Sequence, residues 1–359
     1  MHVQPHEIGI MAGFIALLVA AVVAHLRYWS RRLDHPLAYA ETERHTTRDG
    51  SAFELRRITT PSATDTLPPI LIIHGLAANH RNDDLDEEAS LARHLARSGR
   101  DVWLITLRCG RRDRTLAEGR LATFTAMAKH DVPDAVRRVL ARTASASLDY
   151  IGFSMGGMLA YATLGATVPS ELVRRVVIVG SPARVRIPLP VLHRLRGLPS
   201  WIAPPAPFRV LSHLYAFAVE AFTTPIHRIS INPDNVAPGK LRRTMVNMVE
   251  DVPASLNREL AKWALSDGKI CVDDEPVLPR LATLQQPVRF FAGAADNLAP
   301  ADAIKPAFEA WGSPDKHLFV LGTAQGYSAD YGHGDLAIGR NAAVEIYEPI
   351  RVFLAECGA

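Results

Sequence analysis

The chain has 359 residues, of which 48% are hydrophobic and 21% are charged, and its formal net charge is +3. This composition is typical of a globular protein with a large core, and the near balance of charge predicts no nucleic-acid partner. The cysteines, Cys109, Cys271 and Cys357, are far apart, so they fit neither a disulfide framework nor a zinc-site spacing.

The first predicted element is an apolar helix near the N-terminus. Residues Ile8–Leu26 carry no formal charge, and their number is close to the roughly 20 residues that a helix needs to cross a bilayer. Arg27, Arg31 and Arg32 follow this stretch, whereas no Lys or Arg precedes it, so the positive-inside rule predicts a single-pass anchor over residues 1–32 with the rest of the chain in the cytoplasm. A cleaved signal peptide and a buried core helix are the alternatives, although the basic n-region of a signal peptide is missing.

After a polar stretch over residues 30–50, which we interpret as a linker, short apolar runs alternate with helical patterns. The predicted strands are Ser51–Thr59, Ile70–Ile73, Val102–Thr106, Leu148–Ile151, Val176–Val179, Val288–Ala292 and His317–Leu321. The predicted helices are Asp84–Ser98, Val132–Thr143, Met155–Leu164, a helical region within Lys240–Leu265, Ala301–Trp311 and Ala342–Leu354. Uniformly apolar strands with helices between them predict an α/β fold with a mostly parallel, doubly wound sheet that is buried on both faces.

The alternation of strands and helices is interrupted by about a hundred residues, more than a plain crossover needs. We therefore predict a core in two parts, 33–182 and 286–359, with a helical cap over 183–285 inserted between them. Several apolar side chains of this insert are prominent: Phe208, Leu211, Tyr215, Phe217 and Phe222. We expect most of them to pack onto the sheet domain, and the alternative is that they line an apolar acyl pocket.

A G-x-S-x-G motif, Gly152-Phe153-Ser154-Met155-Gly156, stands between a predicted strand and a predicted helix. Its glycines allow a sharp turn that exposes the serine at the N-terminus of a helix. The motif occurs by chance, but this strand–turn–helix context favours a nucleophilic serine over a glycine-rich turn with an inert one.

A serine hydroxyl needs a base to take its proton, and the end of the chain offers a base and an acid. Asp296 follows one late predicted strand, and His333 lies between two glycines after the next, so the order Ser154, Asp296, His333 is that expected of a catalytic triad. The alternatives are that Asp296 only caps a helix and that His333 is an ordinary loop histidine. The rival acids are Asp273, Asp274, Glu275 and Asp335. Of these, Asp335 is too close in sequence to reach the back of His333 easily, so we expect it to order the loop.

A tetrahedral intermediate needs two fixed N–H donors. One candidate is the amide of Met155, and the other is the amide of Leu76, because Gly75 lets the chain turn after the first parallel strand. We expect the neighbouring His74 to hold this loop by hydrogen bonds. The sequence contains no H-E-x-x-H, G-x-G-x-x-G or P-loop motif, so we expect neither a metal nor a cofactor.

The sequence resembles the α/β-hydrolase superfamily, and within it the lipase and esterase branch. The similar stretches are ILIIHGLAAN, DVWLITLRCGRRDR, YIGFSMGGMLAY and YGHGDLAIG, and the resemblance spans residues 70–182 and 285–355. It implies an α/β-hydrolase fold with a cap over the site and a serine-dependent hydrolysis of carboxylic esters.

These observations leave different functions open. The leading hypothesis is a lipase-like or esterase-like enzyme that forms an acyl-enzyme on Ser154 and cleaves a small-molecule ester or lipid with an apolar acyl chain. An acyltransferase would use the same acyl-enzyme with an alcohol or amine in place of water. A non-catalytic membrane-bound scaffold is the remaining alternative.

Overall fold

The computed structural model describes residues 5–59, 67–186, 199, 201 and 203–356. Its strands are β1 (Glu41–Thr46), β2 (Ala52–Ile58), β3 (Ile70–Ile73), β4 (Val102–Thr106), β5 (Leu148–Phe153), β6 (Val173–Val179), β7 (Cys271–Val272), β8 (Glu275–Pro276), β9 (Val288–Gly293) and β10 (Lys316–Leu321). Its helices are α1 (Pro5–Leu33), α2 (Leu91–Arg97), α3 (Leu116–Arg120), α4 (Phe124–Ala126), α5 (Val132–Thr143), α6 (Met155–Thr163), α7 (Phe208–Tyr215), α8 (Pro225–Ser230), α9 (Lys240–Asn247), α10 (Ala254–Leu265), α11 (Ala301–Ala310), α12 (Asp335–Ile338) and α13 (Glu348–Ala355).

An eight-stranded sheet in the order β1-β2-β4-β3-β5-β6-β9-β10 is the centre of the fold. The six strands from β4 to β10 in this order are parallel, and β1 and β2 are antiparallel to their neighbours. Strand β3 shows why both faces are covered, because Leu71 and Ile73 enter one hydrophobic cluster while Ile70 and Ile72 enter the other. The predicted mostly parallel, doubly wound sheet is therefore confirmed.

The linker predicted over residues 30–50 is wrong in its second half, because Glu41–Thr46 forms the edge strand β1. Side chains of this strand alternate between half-buried and exposed, and its sequence, ETERHT, has no apolar residue that would reveal the alternation. Its partner β2 stabilises it through cross-strand pairing, as between Glu41 and Arg57, whose Oε1 and Nη1 atoms are 2.6 Å apart.

The helix predicted from Asp84 begins only at Leu91, where the Ser90 side chain caps it by accepting the Arg93 amide. The preceding acidic residues form a loop because two of their carboxylates are buried and paired. Asp84 accepts hydrogen bonds from Ser90 Oγ and Arg93 Nε, and Asp86 accepts two from the Lys240 ammonium. The first part of the predicted helix is therefore a loop whose carboxylates form long-range ion pairs.

The insert between β6 and β9 contains helices α7 to α10 and the β7–β8 hairpin. The helical region predicted over Lys240–Leu265 consists of two helices, α9 and α10, and Pro253 precedes the second of them. The expectation that the aromatic and leucine side chains of the insert mostly pack on the sheet is met by Leu256, Trp263 and Leu281, which are buried in the core, but not by most of the five side chains named above. Several are substantially exposed: Phe208 (46%), Leu211 (54%), Phe217 (44%) and Phe222 (71%). The domain limits 1–32, 33–182, 183–285 and 286–359 stay a prediction.

Helix α1 is long and apolar enough over Ile10–Leu33 to cross a membrane, by length and composition, with a mean hydropathy of 2.1. None of its most apolar window is buried in the protein, so it is not a core helix. An anchor and a signal sequence both have this pattern.

A buried ion pair fixes the chain where it leaves β4. The Arg108 guanidinium donates to the Asp131 carboxylate through Nε at 2.8 Å, and the Arg108 amide donates to the same carboxylate at 3.0 Å. Both side chains are fully buried, so the Asp131 charge depends on Arg108 for its stability.

Candidate active site

Ser154 lies at the sharp turn between β5 and α6. Its φ of 52° and ψ of −114° are unusual for a residue with a Cβ, and its side chain is only half-buried between fully buried neighbours. Such strain persists only where the surroundings hold it, and it marks functional sites. One restraint is the Ser154 amide, which donates to the Val179 carbonyl at 2.7 Å.

The glycines around Ser154 are required by close packing. A Cβ on Gly156 would lie 2.0 Å from the Ile73 carbonyl oxygen, and one on Gly152 would lie 2.5 Å from the Gly157 nitrogen. Helix α6 can therefore begin directly against β3 and β5. The serine is held at the carboxyl edge of the sheet, as the motif predicts.

Asp296 and His333 meet at the same edge of the sheet. Asp296 follows β9 by three residues, and His333 lies in the loop after β10. Their side chains are hydrogen-bonded, with 2.7 Å between His333 Nδ1 and Asp296 Oδ2. The other carboxylate oxygen, Oδ1, accepts the amides of Leu298 and Ala299, both at 2.8 Å. Asp296 is therefore fixed in orientation and presents one oxygen to the imidazole.

The imidazole of His333 lies beside the serine turn. Its ring packs edge-to-face against Phe153, the residue before Ser154, with ring centroids 5.3 Å apart. Gly180, at φ +57°, makes room on another side, because a Cβ there would lie 3.2 Å from two ring atoms of His333. The structure thus brings His333 next to the elbow with its Nδ1 atom turned to Asp296.

The electrostatics of His333 favour its protonated form. Burial lowers the pKa of His333, but the adjacent Asp296 carboxylate and the charge of Asp335 raise it by more, so its pKa lies above the ordinary value. A histidine that holds a proton more tightly in this way is suited to store the proton of a serine hydroxyl.

The predicted oxyanion residues lie around the same turn. Strands β3 and β5 are neighbours with Ile73 opposite Gly152, and a Cβ built on Gly75 would lie only 3.0 Å from the Ser154 Cβ. Leu76 follows this contact, and Met155 is the first residue of α6, where an amide has no acceptor within the helix. The structure therefore brings together the residues that the sequence predicts for the oxyanion site.

His74 serves the loop rather than the chemistry, as expected from the sequence. Its Nδ1 atom donates to the Gly75 carbonyl at 2.8 Å, and its Nε2 atom accepts the Leu107 amide at 3.0 Å. Burial lowers the pKa of His74 to about 4. Both ring nitrogens are thus occupied and the ring stays neutral.

The rival acids have other partners. Asp335 is buried and accepts hydrogen bonds from the Asn232 amide, the Asn235 side chain and the Gly332 amide at 2.8 to 3.0 Å, which orders the histidine loop as expected. Burial raises the pKa of Asp335, and these donors partly offset that effect. The remaining candidates are exposed on the β7–β8 hairpin, where Asp273 pairs with Lys129 and Asp274 with Lys262.

Sequence reasoning missed the residues of the insert that hold two loops of the candidate site. The Gly334 amide donates to the Ser230 carbonyl at 2.7 Å, beside His333. The Glu250 amide donates to the Ala77 carbonyl at 2.8 Å, beside Leu76. No local pattern marks these residues, because their partners are far away in the sequence.

The side chains that could bind a metal ion are dispersed over residues 5–59, 67–186, 199, 201 and 203–356, which the structure describes. Within those ranges, no group of three or more histidine, cysteine or carboxylate side chains could hold a metal ion.

Comparison with known families and solved structures gives a consistent result. The family profile described as alpha/beta hydrolase fold matches residues 68–325. Among solved structures, a thermophilic esterase from Thermogutta terrifontis is similar with a TM-score of 0.55 at 18% identity, covering 88% of this chain and 98% of that one. At this identity the likeness concerns the fold alone.

Two curated proteins are similar over part of their sequences. A probable lipase of Schizosaccharomyces pombe is 31% identical over 115 residues, which are 30% of this chain and 25% of that protein. The human lipase member M is 30% identical over 134 residues, which are 33% of this chain and 31% of that protein. The chain thus spans about a quarter to a third of the length of these relatives.

Proposed function

The chain belongs to the alpha/beta hydrolase fold family and is similar to lipases and esterases, and we propose that it is a serine hydrolase of carboxylic esters. The observation that carries the proposal is the 2.7 Å hydrogen bond between Asp296 and His333, beside a strained serine at the carboxyl edge of one sheet. A half-buried serine, an oriented carboxylate and a buried histidine, in this order along the chain, are suited to nucleophilic catalysis.

In the proposed reaction, the Ser154 hydroxyl attacks the ester carbonyl while His333 takes its proton. Asp296 keeps the imidazole in the tautomer whose free nitrogen faces the serine, and the amides of Leu76 and Met155 stabilise the oxyanion. His333 then protonates the leaving alcohol, and an acyl group remains on Ser154. Water, activated by His333, attacks this acyl-enzyme and releases the carboxylic acid.

We propose an ester or lipid with an apolar acyl chain as the substrate. The names of the two lipase relatives support this class, and so does the number of exposed apolar side chains on the insert. We also propose that α1 anchors the protein in a membrane with the hydrolase body on the cytoplasmic side, because Arg27, Arg31 and Arg32 follow the apolar stretch.

A fluorophosphonate probe tests the activated serine. We expect the purified protein to be labelled, the S154A variant to be unlabelled, and the matched S147A variant to be labelled like the wild type. Equal labelling of S154A would refute Ser154 as nucleophile. A series of p-nitrophenyl esters then gives the preferred acyl length, and a product formed only with an added alcohol or amine acceptor would identify an acyltransferase.

Membrane extraction and mass spectrometry test the anchor. An anchored protein resists extraction by alkaline carbonate and keeps the mass of its full N-terminus. A mature protein that lacks the apolar stretch would identify a signal peptide. In a chain whose Cys271 and Cys357 are replaced by serine, labelling of an A146C variant by an impermeant maleimide, in inverted but not in right-side-out vesicles, is expected for a cytoplasmic body.

A further inference from the structure

The C-terminal part of α1 is docked on the insert by polar contacts. The His25 Nε2 atom is 3.2 Å from the Leu214 carbonyl oxygen, and the Ser30 hydroxyl is 2.9 Å from His213 Nδ1. Farther along, the Asn247 side chain donates to the Leu33 carbonyl at 3.0 Å. These contacts fix the direction in which the apolar part of α1 leaves the protein.

An aromatic contact defines the level of the insert along α1. The Phe217 ring lies edge-to-face on His25, with centroids 5.0 Å apart, and 6.0 Å from the Trp29 ring. An α-helix rises about 1.5 Å per residue, so His25 lies only about 3 Å beyond Val23, where the run of exposed aliphatic side chains ends. Phe217 therefore lies at the height where a spanning α1 would leave the hydrocarbon core.

The turn after α7 presents its aromatic rings outward. Ala216 and Val219 are fully buried, whereas Phe217 is 44% and Phe222 is 71% exposed. The Tyr215 hydroxyl donates to the Phe222 carbonyl, and the Tyr215 ring stacks on His227 with centroids 5.0 Å apart. The turn is therefore fixed, and it holds these rings in their exposed positions. Exposed aromatic clusters of this kind mark interaction sites.

The surroundings of this turn fit a lipid surface better than water. Leu211 on α7 is 54% exposed, and Tyr28 on α1, about 4.5 Å beyond His25 along the helix, is 57% exposed. Arg31 and Arg32 are exposed one to two turns farther from the apolar run. Aromatic rings at the interface with arginines behind them match the layers of a bilayer surface.

We propose that Phe217 and Phe222 form a second membrane contact, seated in the interfacial layer of the bilayer that α1 spans. The inference rests on the anchor proposed above and adds a surface of the insert to it. From Phe222 the chain runs through α8 to Ser230, whose carbonyl holds the histidine loop. In this proposal the turn connects the bilayer surface to the histidine loop of the candidate site, and the substrate class is an ester that resides in the bilayer surface.

Fluorescence quenching by spin-labelled lipids tests this contact in the full chain. Cys271 and Cys357 are replaced by serine, buried Cys109 is kept, and an NBD fluorophore is attached in turn to L17C, F222C and A146C. Leu17 lies in the apolar part of α1, and Ala146 is an exposed control that precedes β5, at the edge of the sheet opposite Ser154. Each protein is reconstituted in two sets of phosphatidylcholine–phosphatidylglycerol vesicles, one with a doxyl group near the headgroup, which reports on positions 222 and 146, and one with a doxyl group deep in the acyl chain, which reports on position 17.

A seated Phe222 lies about 5 to 10 Å inside the interface, so we expect NBD at position 222 to lose roughly half its emission or more, and NBD at 146 to lose none. Quenching at 17 without quenching at 222 overturns the second contact and leaves the anchor intact. Absence of quenching at both positions overturns the contact together with the anchor. A blue-shifted but unquenched signal at 222 overturns it in favour of a contact with a second copy of the chain.

Discussion

Replacing Asp296 by asparagine tests the orientation of the histidine. Oδ1 of Asp296 accepts two backbone amides, from Leu298 and Ala299, and Oδ2 accepts His333 Nδ1. In D296N the amide oxygen must stay with the two backbone donors, so the NH2 group faces His333. An NH2 group there requires Nδ1 to be an acceptor, which places the ring proton on Nε2, the nitrogen that the proposed mechanism needs free.

Rotation of the new side chain does not rescue the variant. It would set the NH2 group against the amides of Leu298 and Ala299, and each buried donor left without its acceptor costs about 1 to 3 kcal/mol. The equivalent aspartate-to-asparagine change in a serine protease triad lowers kcat by about 10⁴-fold. We expect a similar loss for D296N, which corresponds to about 5 kcal/mol of transition-state stabilisation.

The assay is kcat for a short p-nitrophenyl ester, with the rate of fluorophosphonate labelling as a second readout. Asp273 offers the matched control, because it is an exposed rival acid, and D273N is expected to keep the wild-type rate. Thermal unfolding shows whether D296N is folded. A folded D296N protein that keeps more than about a tenth of the wild-type kcat would refute the proposed role of Asp296.

Further predictions concern the neighbouring loops and the core. The G75A variant places a methyl group 3.0 Å from the Cβ of Ser154. We therefore expect kcat to fall by about 10- to 100-fold while the unfolding temperature is unchanged. An unchanged kcat would contradict the close approach of residue 75 to Ser154. The profile of kcat/KM should rise with pH through a pKa above about 6.5, because His333 must be neutral to act as a base. The D335N variant should move this inflection to lower pH, because it removes a carboxylate that raises the pKa of His333. An unmoved inflection would exclude an influence of Asp335 on this pKa. R108A should lower the free energy of unfolding by about 3 to 5 kcal/mol in urea titrations, since its aspartate partner stays buried without a counter-charge. The exposed R137A should change it by less than about 1 kcal/mol, and equal effects of the two would argue against the buried pair.

Local patterns in the sequence predict the sheet and the residues of the candidate site. Strand β3 consists of four buried apolar residues, and the run of β5 into Gly152 and Ser154 has the strand–turn–helix context of a nucleophile motif. Asp296 and His333 each follow a strand of the parallel sheet, whose carboxyl ends meet at one edge. The hydrogen bond between them is a consequence of this topology, although their catalytic roles stay a prediction.

The features that sequence reasoning missed depend on partners that are distant in the chain. Asp84 and Asp86 have the appearance of a helical surface, but Asp86 pairs with Lys240, which is 154 residues away. Strand β1 has no apolar residue, and its pairing with β2 decides its conformation. A periodic pattern reports only which face of an element is apolar, so it could not predict either of these.

Two hydrogen bonds attach described parts of the insert to the loops of the candidate site. Ser230 holds the amide of Gly334 next to His333, and Glu250 donates its own amide to Ala77 next to Leu76. A movement that lifted residues 230–250 as a unit would break both hydrogen bonds and release the two loops that the proposed reaction requires to be fixed. Opening of the site by such a movement would therefore disorganise the site that it uncovers. Access for an ester from the lipid surface is compatible with the proposed reaction only where these two attachments remain in place. The proposed membrane contact at Phe222 meets this condition, because it requires no movement of residues 230–250.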